Sequence, residues 1–367
     1  MRFQGYSGWI VATLAVAALG GACKRRQEAP TPPPATPAAA NTQNPPTGMF
    51  QALPPVGDIP AAKVTLGRRL FHDTALSADN TLSCASCHSL DQGGADGRVS
   101  SLGIRGQVGP INSPTVLNAR FNFVQFWDGR AANLAEQAAG PVTNPKEMGN
   151  TWPAVLATLN GDESYVAAFR AAYPADGVTQ ANVTDAIAAY EMTLVTPSRF
   201  DRYLGGDRSA LSAEEREGLA EFVSVGCTAC HAGVNVGGAM YQKMGLVRNY
   251  FADRGHLTEA DNGRFNVTHQ ESDRHFFKVP TLRNVALTAP YFHDGSQRTL
   301  PDAVRMMGRY QLGRELNDAQ ITRIVAFLNA LTGEVPAGAR MPGATPAAPA
   351  APAAPAAPAA PAAPTAP

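Results

Sequence analysis

Two copies of one short pattern constrain this chain more than anything else in it. Cys84-Ala85-Ser86-Cys87-His88 and Cys227-Thr228-Ala229-Cys230-His231 both read Cys-x-x-Cys-His. That spacing is the attachment pattern of c-type haem. Two thiols on one helical turn reach the two vinyl groups of one porphyrin, and the next residue, histidine, swings beneath the ring to ligate iron. A disulfide redox motif does not need the histidine, and zinc calls for a further matched pair nearby. With five cysteines and seven histidines in 367 residues, a chance double match is remote. The spacing therefore predicts two covalently bound c-type haems. Cys84, Cys87, Cys227 and Cys230 supply the thioethers, and His88 and His231 the iron ligands.

The fifth cysteine needs a separate explanation. Cys23 directly follows Trp9–Ala22, a 14-residue stretch without a charge that Arg2 precedes. This is shorter than the roughly 20 residues of a membrane span. Residues 1–22 read as a secretory signal peptide. Bacterial lipoproteins carry a lipidated cysteine at this place, so Cys23 is expected to be a lipid anchor, although Gly20 stands where a larger apolar residue is usual. Plain export with Cys23 incidental is the alternative. Both readings place the product in the periplasm, and c-type haem is attached outside the cytoplasm. The membrane would then be a partner only through the anchor. Residues 23–48 continue into a Pro-, Ala- and Thr-rich linker, an extended semi-rigid spacer. Residues 336–367 read as a disordered tail, with Ala-Ala-Pro repeating from Ala344. Proline at that period blocks a helix and favours polyproline II.

Between those ends lies a body long enough for a sizeable core. Thirty basic residues balance thirty acidic ones, which removes the electrostatic case for nucleic acid as partner. Ser212 and Glu215 form a capping box that opens a helix, and Gly226 closes it just before Cys227. Asn317 and Gln320 form a second box ahead of Ile321, Ile324, Val325, Leu328 and Leu331, with Gly333 expected to end the run. Another helix is expected over about 183–194. The fold class is mainly α: two cytochrome c-like haem domains with long loops, 49–200 and 201–335, between disordered Pro/Ala-rich ends.

The sixth iron ligands decide what the haems do. An electron-transfer haem keeps both axial positions filled, whereas a catalytic haem leaves one open beneath polar groups. After His231 the candidate methionines are Met240, Met244, Met306, Met307 and Met341, and spacing does not choose among them.

Residues 52–335 resemble the bacterial di-haem cytochrome c peroxidase family. The resemblance rests on Leu66-Gly67-Arg68-Arg69-Leu70-Phe71, Asn112-Ser113-Pro114-Thr115-Val116-Leu117-Asn118 and Gln125-Phe126-Trp127-Asp128-Gly129-Arg130. It continues through Thr281-Leu282-Arg283-Asn284, Pro290-Tyr291-Phe292-His293 and Met307-Gly308. The resemblance implies that His88 serves the peroxidatic haem, and that His231 with Met307 serves the haem where electrons enter. It also implies that Trp127 stands between the haems and that Gln137 and Glu147 lie above the peroxidatic iron. Asn112, Thr288 and Pro290 match the contributors to one calcium site. A carboxylate above iron can take a proton from one peroxide oxygen and return it to the other. Burial would fit Glu147 for this by raising its pKa. Hydrogen peroxide is the implied substrate, a small soluble cytochrome or cupredoxin the implied donor, and a homodimer is typical of the family.

One position departs from the pattern. Many members close the resting peroxidatic iron with a histidine that falls at Ile104 here, and residues 89–126 contain no His, Met, Lys, Tyr or Cys. The expectation is an open iron that needs no reductive activation, unless His72, His256, His269 or His275 reaches it. Two other functions compete: a di-haem oxidase acting on a partner protein, and a non-catalytic electron carrier. Met307 argues against the first and the empty loop against the second.

Overall fold

Side chains at the helix starts set much of the local structure. The computed structural model describes residues 47–341. The leader, Cys23, the linker up to residue 46 and the tail from residue 342 lie outside the described residues. The first half contains α1 (Ala61–His72), α2 (Cys84–Cys87), α3 (Leu134–Thr143), α4 (Trp152–Asn160), α5 (Glu163–Ala172) and α6 (Gln180–Glu191). Asn133, Thr151, Asp162 and Thr179 cap α3 to α6, each accepting a backbone N–H from the first turn. The second half contains α7 (Arg199–Leu204), α8 (Ala213–Val225), α9 (Tyr250–Arg254), α10 (Phe265–Thr268), α11 (Leu300–Gln311) and α12 (Asp318–Asn329). Among the described residues the only sheet pairs β1 (Tyr241–Lys243) with β2 (Phe276–Lys278), antiparallel, Tyr241 opposite Lys278. The body is mainly helical, as the sequence predicts.

The capping boxes of α8 and α12 form as expected, and Gly226 ends α8 at φ 102°. Two boundaries differ. The helix expected over 183–194 runs from 180 to 191, because Thr179 caps it earlier. Helix α12 stops at Asn329, short of Gly333. Gly333 instead bridges to Ser198 and donates its N–H to Asn284 at 2.9 Å. A Cβ there would lie 2.1 Å from the Thr196 carbonyl oxygen.

Apolar faces gather into two principal cores. One draws on residues from Leu66 to Leu194, the other on residues from Phe200 to Leu331. Each turns on a close helix crossing that requires glycine. A Cβ on Gly67 of α1 would stand 1.7 Å from the Ala186 carbonyl oxygen of α6, and one on Gly218 of α8 would stand 1.9 Å from that of Arg323 in α12.

The chain ends cross over. Phe50 belongs to the second core, whereas Val335 and Ala339 belong to the first. Within residues 336–341, expected to begin the disordered tail, Ala339 is therefore buried, while Ala337, Gly338 and Met341 are exposed. The Ala339 carbonyl accepts the Tyr190 hydroxyl at 2.6 Å, the Gly338 carbonyl accepts Arg68 at 2.8 Å, and Arg340 pairs with Asp91 at 2.8 Å. The reason is local: Ala339 fills a gap in the apolar surface over Tyr190 and satisfies its buried hydroxyl.

Candidate functional site: two cysteine-histidine cavities

An internal repeat builds the site. Pro114-Thr115-x-x-Asn118 and Phe126-x-Asp128-Gly129 recur 166 residues later as Pro280-Thr281-x-x-Asn284 and Phe292-x-Asp294-Gly295. Asn118 and Asn284 are both fully buried and left-handed, at φ 60° and 61°. Both donate to the Thr196 hydroxyl, at 2.7 and 2.8 Å, which ties the two repeats together. Phe126 and Phe292 also share a left-handed backbone, φ 66° and 71°. Each turns the chain so that the next ring, Trp127 or His293, points inward, and those rings meet with centroids 6.4 Å apart.

The first cavity is lined by Cys84 and Cys87 from α2, His88 at its C-cap, Gln137 from α3, Glu147 from the following loop, and Glu191 from the end of α6. The His88 Nδ1 lies 3.3 Å from the Gly94 carbonyl and 3.4 Å from the Ser113 hydroxyl. A carbonyl only accepts, so Nδ1 carries the proton and Nε2 is left for a metal. Burial lowers the pKa of His88, against the carbonyl of Gly94, and so favours the neutral ligand form. Glu147 accepts Asn144 Nδ2 at 2.7 Å. Burial pushes its carboxyl up, opposed by Arg130 and by that hydrogen bond. Arg130 stacks on Phe126 and pairs with Asp128 at 2.9 Å.

Ile104 does not line this cavity, although its neighbours Leu102 and Gly103 do. It is buried and its N–H bonds the Glu147 carbonyl at 2.8 Å, so the loop is fastened to the backbone of the residue it faces. None of His72, His256, His269 or His275 is on the cavity wall. Lys146 and Met148 are, and both are residue types that bind iron. The expectation drawn from residues 89–126 did not include them, because they enter from a later loop. Glu191 was missed as well. It is 4 % exposed, its Oε2 has no hydrogen-bond partner, and burial raises its pKa to about 8. Only the packing of α6 reveals it.

The second cavity is lined by Cys227, Cys230, His231, Met244, Met307 and Lys278 among mainly apolar side chains. Of the five candidate methionines, the structure brings Met244 and Met307 onto this wall and leaves Met240, Met306 and Met341 off it. Burial pulls His231 down to about 4, while the carbonyls of Val236 and Pro280 oppose the shift. Its Nδ1 is nevertheless buried outside hydrogen-bonding geometry. Gly237, at φ 130°, allows this close packing, because a Cβ would lie 2.2 Å from the Pro280 oxygen and 3.2 Å from His231 Nδ1.

Residues 112–115 line both cavities. The Trp127 Nε1–H donates to the Asn112 carbonyl at 2.9 Å, and the Asn112 N–H donates to the His293 carbonyl at 2.8 Å. Asn112, Thr288 and Pro290 share the wall of the second cavity. Asp261, His293 and Asp294 also converge, but Arg254 pairs with both carboxylates. That guanidinium, rather than a metal ion, meets their charge.

The residues fit haem. Each cavity gathers both thiols and the histidine of one motif, all four thiols are free, and the histidines are held neutral. A mainly helical body with two such cavities defines a di-haem c-type protein. Residues 61–209 match the family model described as di-haem cytochrome c peroxidase. The chain is 49% identical over 285 residues to the cytochrome c peroxidase Ccp of Escherichia coli K12, covering 77% of this chain and 61% of that one. It is 50% identical over 274 residues to the cytochrome c551 peroxidase of Pseudomonas aeruginosa, covering 74% and 79%. Among solved structures, a MauG-like protein associated with microbial copper homeostasis superposes with a TM-score of 0.69 at 28% identity, over 77% of this chain and 93% of that one. The chain belongs to the di-haem cytochrome c peroxidase family, and that membership implies two c-type haems.

Proposed function

We propose that this protein reduces hydrogen peroxide to water with electrons from a small soluble cytochrome or cupredoxin. Cys227, Cys230, His231 and Met307 would hold the second haem, where electrons would enter, and Cys84, Cys87 and His88 would hold the first, which would receive them. Two one-electron donations and two protons convert one peroxide into two waters. Bound haem supplies the iron at which the oxygen–oxygen bond breaks and the centres that hold electrons. The chain supplies the rest. Glu147 takes a proton from the near oxygen and returns it to the far one, a role suited to a carboxyl with a raised pKa. Gln137 holds the peroxide by hydrogen bonding. Trp127 occupies the path between the cavities.

The observation that carries this reading is Glu147 and Gln137 on one wall with Cys84, Cys87 and His88. The finer reading includes an iron open in the oxidised protein and one calcium at Asn112, Thr288 and Pro290, whose oxygens are the donor type calcium takes. It also includes haem domains at 49–200 and 201–335, and a periplasmic protein anchored through Cys23.

Stopped-flow mixing with stoichiometric peroxide tests it. The fully oxidised protein should react at once. If only a sample first reduced by one electron reacts, Lys146, Met148 or another group closes the iron. If neither reacts, the peroxidase reading gives way to electron transfer or partner oxidation.

A further inference from the structure

The second cavity contains a buried cation without an anion. Lys278 ends β2 and is 4 % exposed. Its backbone N–H is fixed to the Trp127 carbonyl at 2.8 Å, and the residue is on the cavity wall with His231 and Met307. No carboxylate lines this cavity, and among the described residues no hydrogen bond or ion pair reaches the ammonium. The first cavity is different: Glu147 and Glu191 line it, with Arg130 and Lys146 as cations.

A buried ammonium is costly unless it is paired or gives up its proton, so one that stays charged without a partner in the chain points to an anion from outside it. Burial pulls Lys278 down to about 8, which still leaves it charged at neutral pH. Haem carries two propionate carboxylates, and this cavity is built around a haem motif. We propose that Lys278 is a positioning residue whose ammonium pairs with a propionate of the second haem and holds that haem at high potential. The proposal rests on the di-haem reading above. Reduction adds one negative charge to the haem, and a fixed positive charge in a low-dielectric wall favours the reduced form. Each electron gained there is lost by one donor molecule. The lysine thus biases the electron-entry site toward accepting electrons, and its backbone bond to Trp127 ties it to the residue between the cavities.

Potentiometric titration of the purified holoprotein, followed through the haem spectrum, tests this. The wild type should show two separate one-electron transitions. In K278Q and K278M the upper midpoint should fall by at least a tenfold change in the reduction equilibrium, 59 mV for a one-electron couple. The lower midpoint should move less. K278R keeps the charge and should keep the upper midpoint. An upper midpoint unchanged in both neutral variants overturns the proposal, as does an equal fall in K278R. If neither neutral variant accumulates with both haems, the propionate bending band in the resonance Raman spectrum decides. It must shift between wild type and K278R, because the donor has changed, and an unshifted band overturns the proposal. A wild type with a single haem transition would instead sink the di-haem reading itself.

Discussion

Trp127 and His293 occupy equivalent places in the two repeats and meet edge to face, with centroids 6.4 Å apart. Asn112 joins them, accepting from the Trp127 indole through its carbonyl and donating its N–H to the His293 carbonyl. Because Asn112 also lines both cavities, this trio forms a continuous bonded bridge from one to the other.

Trp127→Phe keeps an aromatic ring in the bridge and removes its hydrogen bond to Asn112. Oxidation of the second haem after peroxide addition should slow by about tenfold or more, equivalent to roughly 1.4 kcal/mol in barrier. Haem content should be unchanged. Stopped-flow spectra of the half-reduced protein check both, and an unaltered rate would remove Trp127 from the path.

Glu147→Gln removes the proton carrier, and the rate of peroxide reaction should fall by about 10²–10⁴. In the wild type this rate should decline as pH falls through the pKa of Glu147, which burial places above the ordinary carboxylate range. Asn144→Ala deletes a hydrogen bond that favours the ionised form, so the decline should move to higher pH. A pH–rate profile that does not move would assign the limb to another group.

Glu191 links stability to pH. Its pKa is raised in the folded state from 4.5 to about 8. Below the lower value both states are protonated and the group is neutral to folding. As pH rises through this window the unfolded chain releases the proton first, so stability falls. Glu191→Gln should flatten denaturant midpoints across pH 5–8, removing a loss on the order of a few kcal/mol. A wild-type midpoint already flat over that range would contradict the assignment.

Arg283 is fully buried and grips Asp201 through two hydrogen bonds, at 2.8 and 3.0 Å, while its Nε donates to the Val234 carbonyl at 2.7 Å. Asp201 also accepts the Leu53 N–H at 2.8 Å. Arg283→Met or Asp201→Asn leaves the other partner's charge buried without its counter-ion. Each should cost about 3–5 kcal/mol. Thermal unfolding of the holoprotein measures it.

Truncation separates the packed part of the C-terminal segment from the repeats. Ending the chain after Gly343 should leave stability unchanged. Ending it after Glu334 strips the Tyr190 hydroxyl of its acceptor and uncovers the first core, at a cost of about 1–3 kcal/mol. Equal melting temperatures for both truncations would show that Ala339 contributes nothing.

Local signals decided the two haem motifs, the caps of α8 and α12 and the helical character of the body. Capping boxes and Cys-x-x-Cys-His act through neighbours within a turn or two, so the chain alone carries them. The family resemblance led to Glu147, Gln137 and Met307, and the fold brings each onto the wall of the expected cavity. The repeat was also open to view, in Pro114-Thr115 with Asn118 and Pro280-Thr281 with Asn284, but its meaning appears only where both asparagines meet Thr196. Tertiary structure alone decided which methionines share a wall with His231, that Lys146 and Met148 reach the first cavity, and that Ala339 is buried. It also left Glu191 and Lys278 buried without partners. Those properties depend on desolvation by residues distant in sequence, and a sequence pattern does not record which surfaces lose their water.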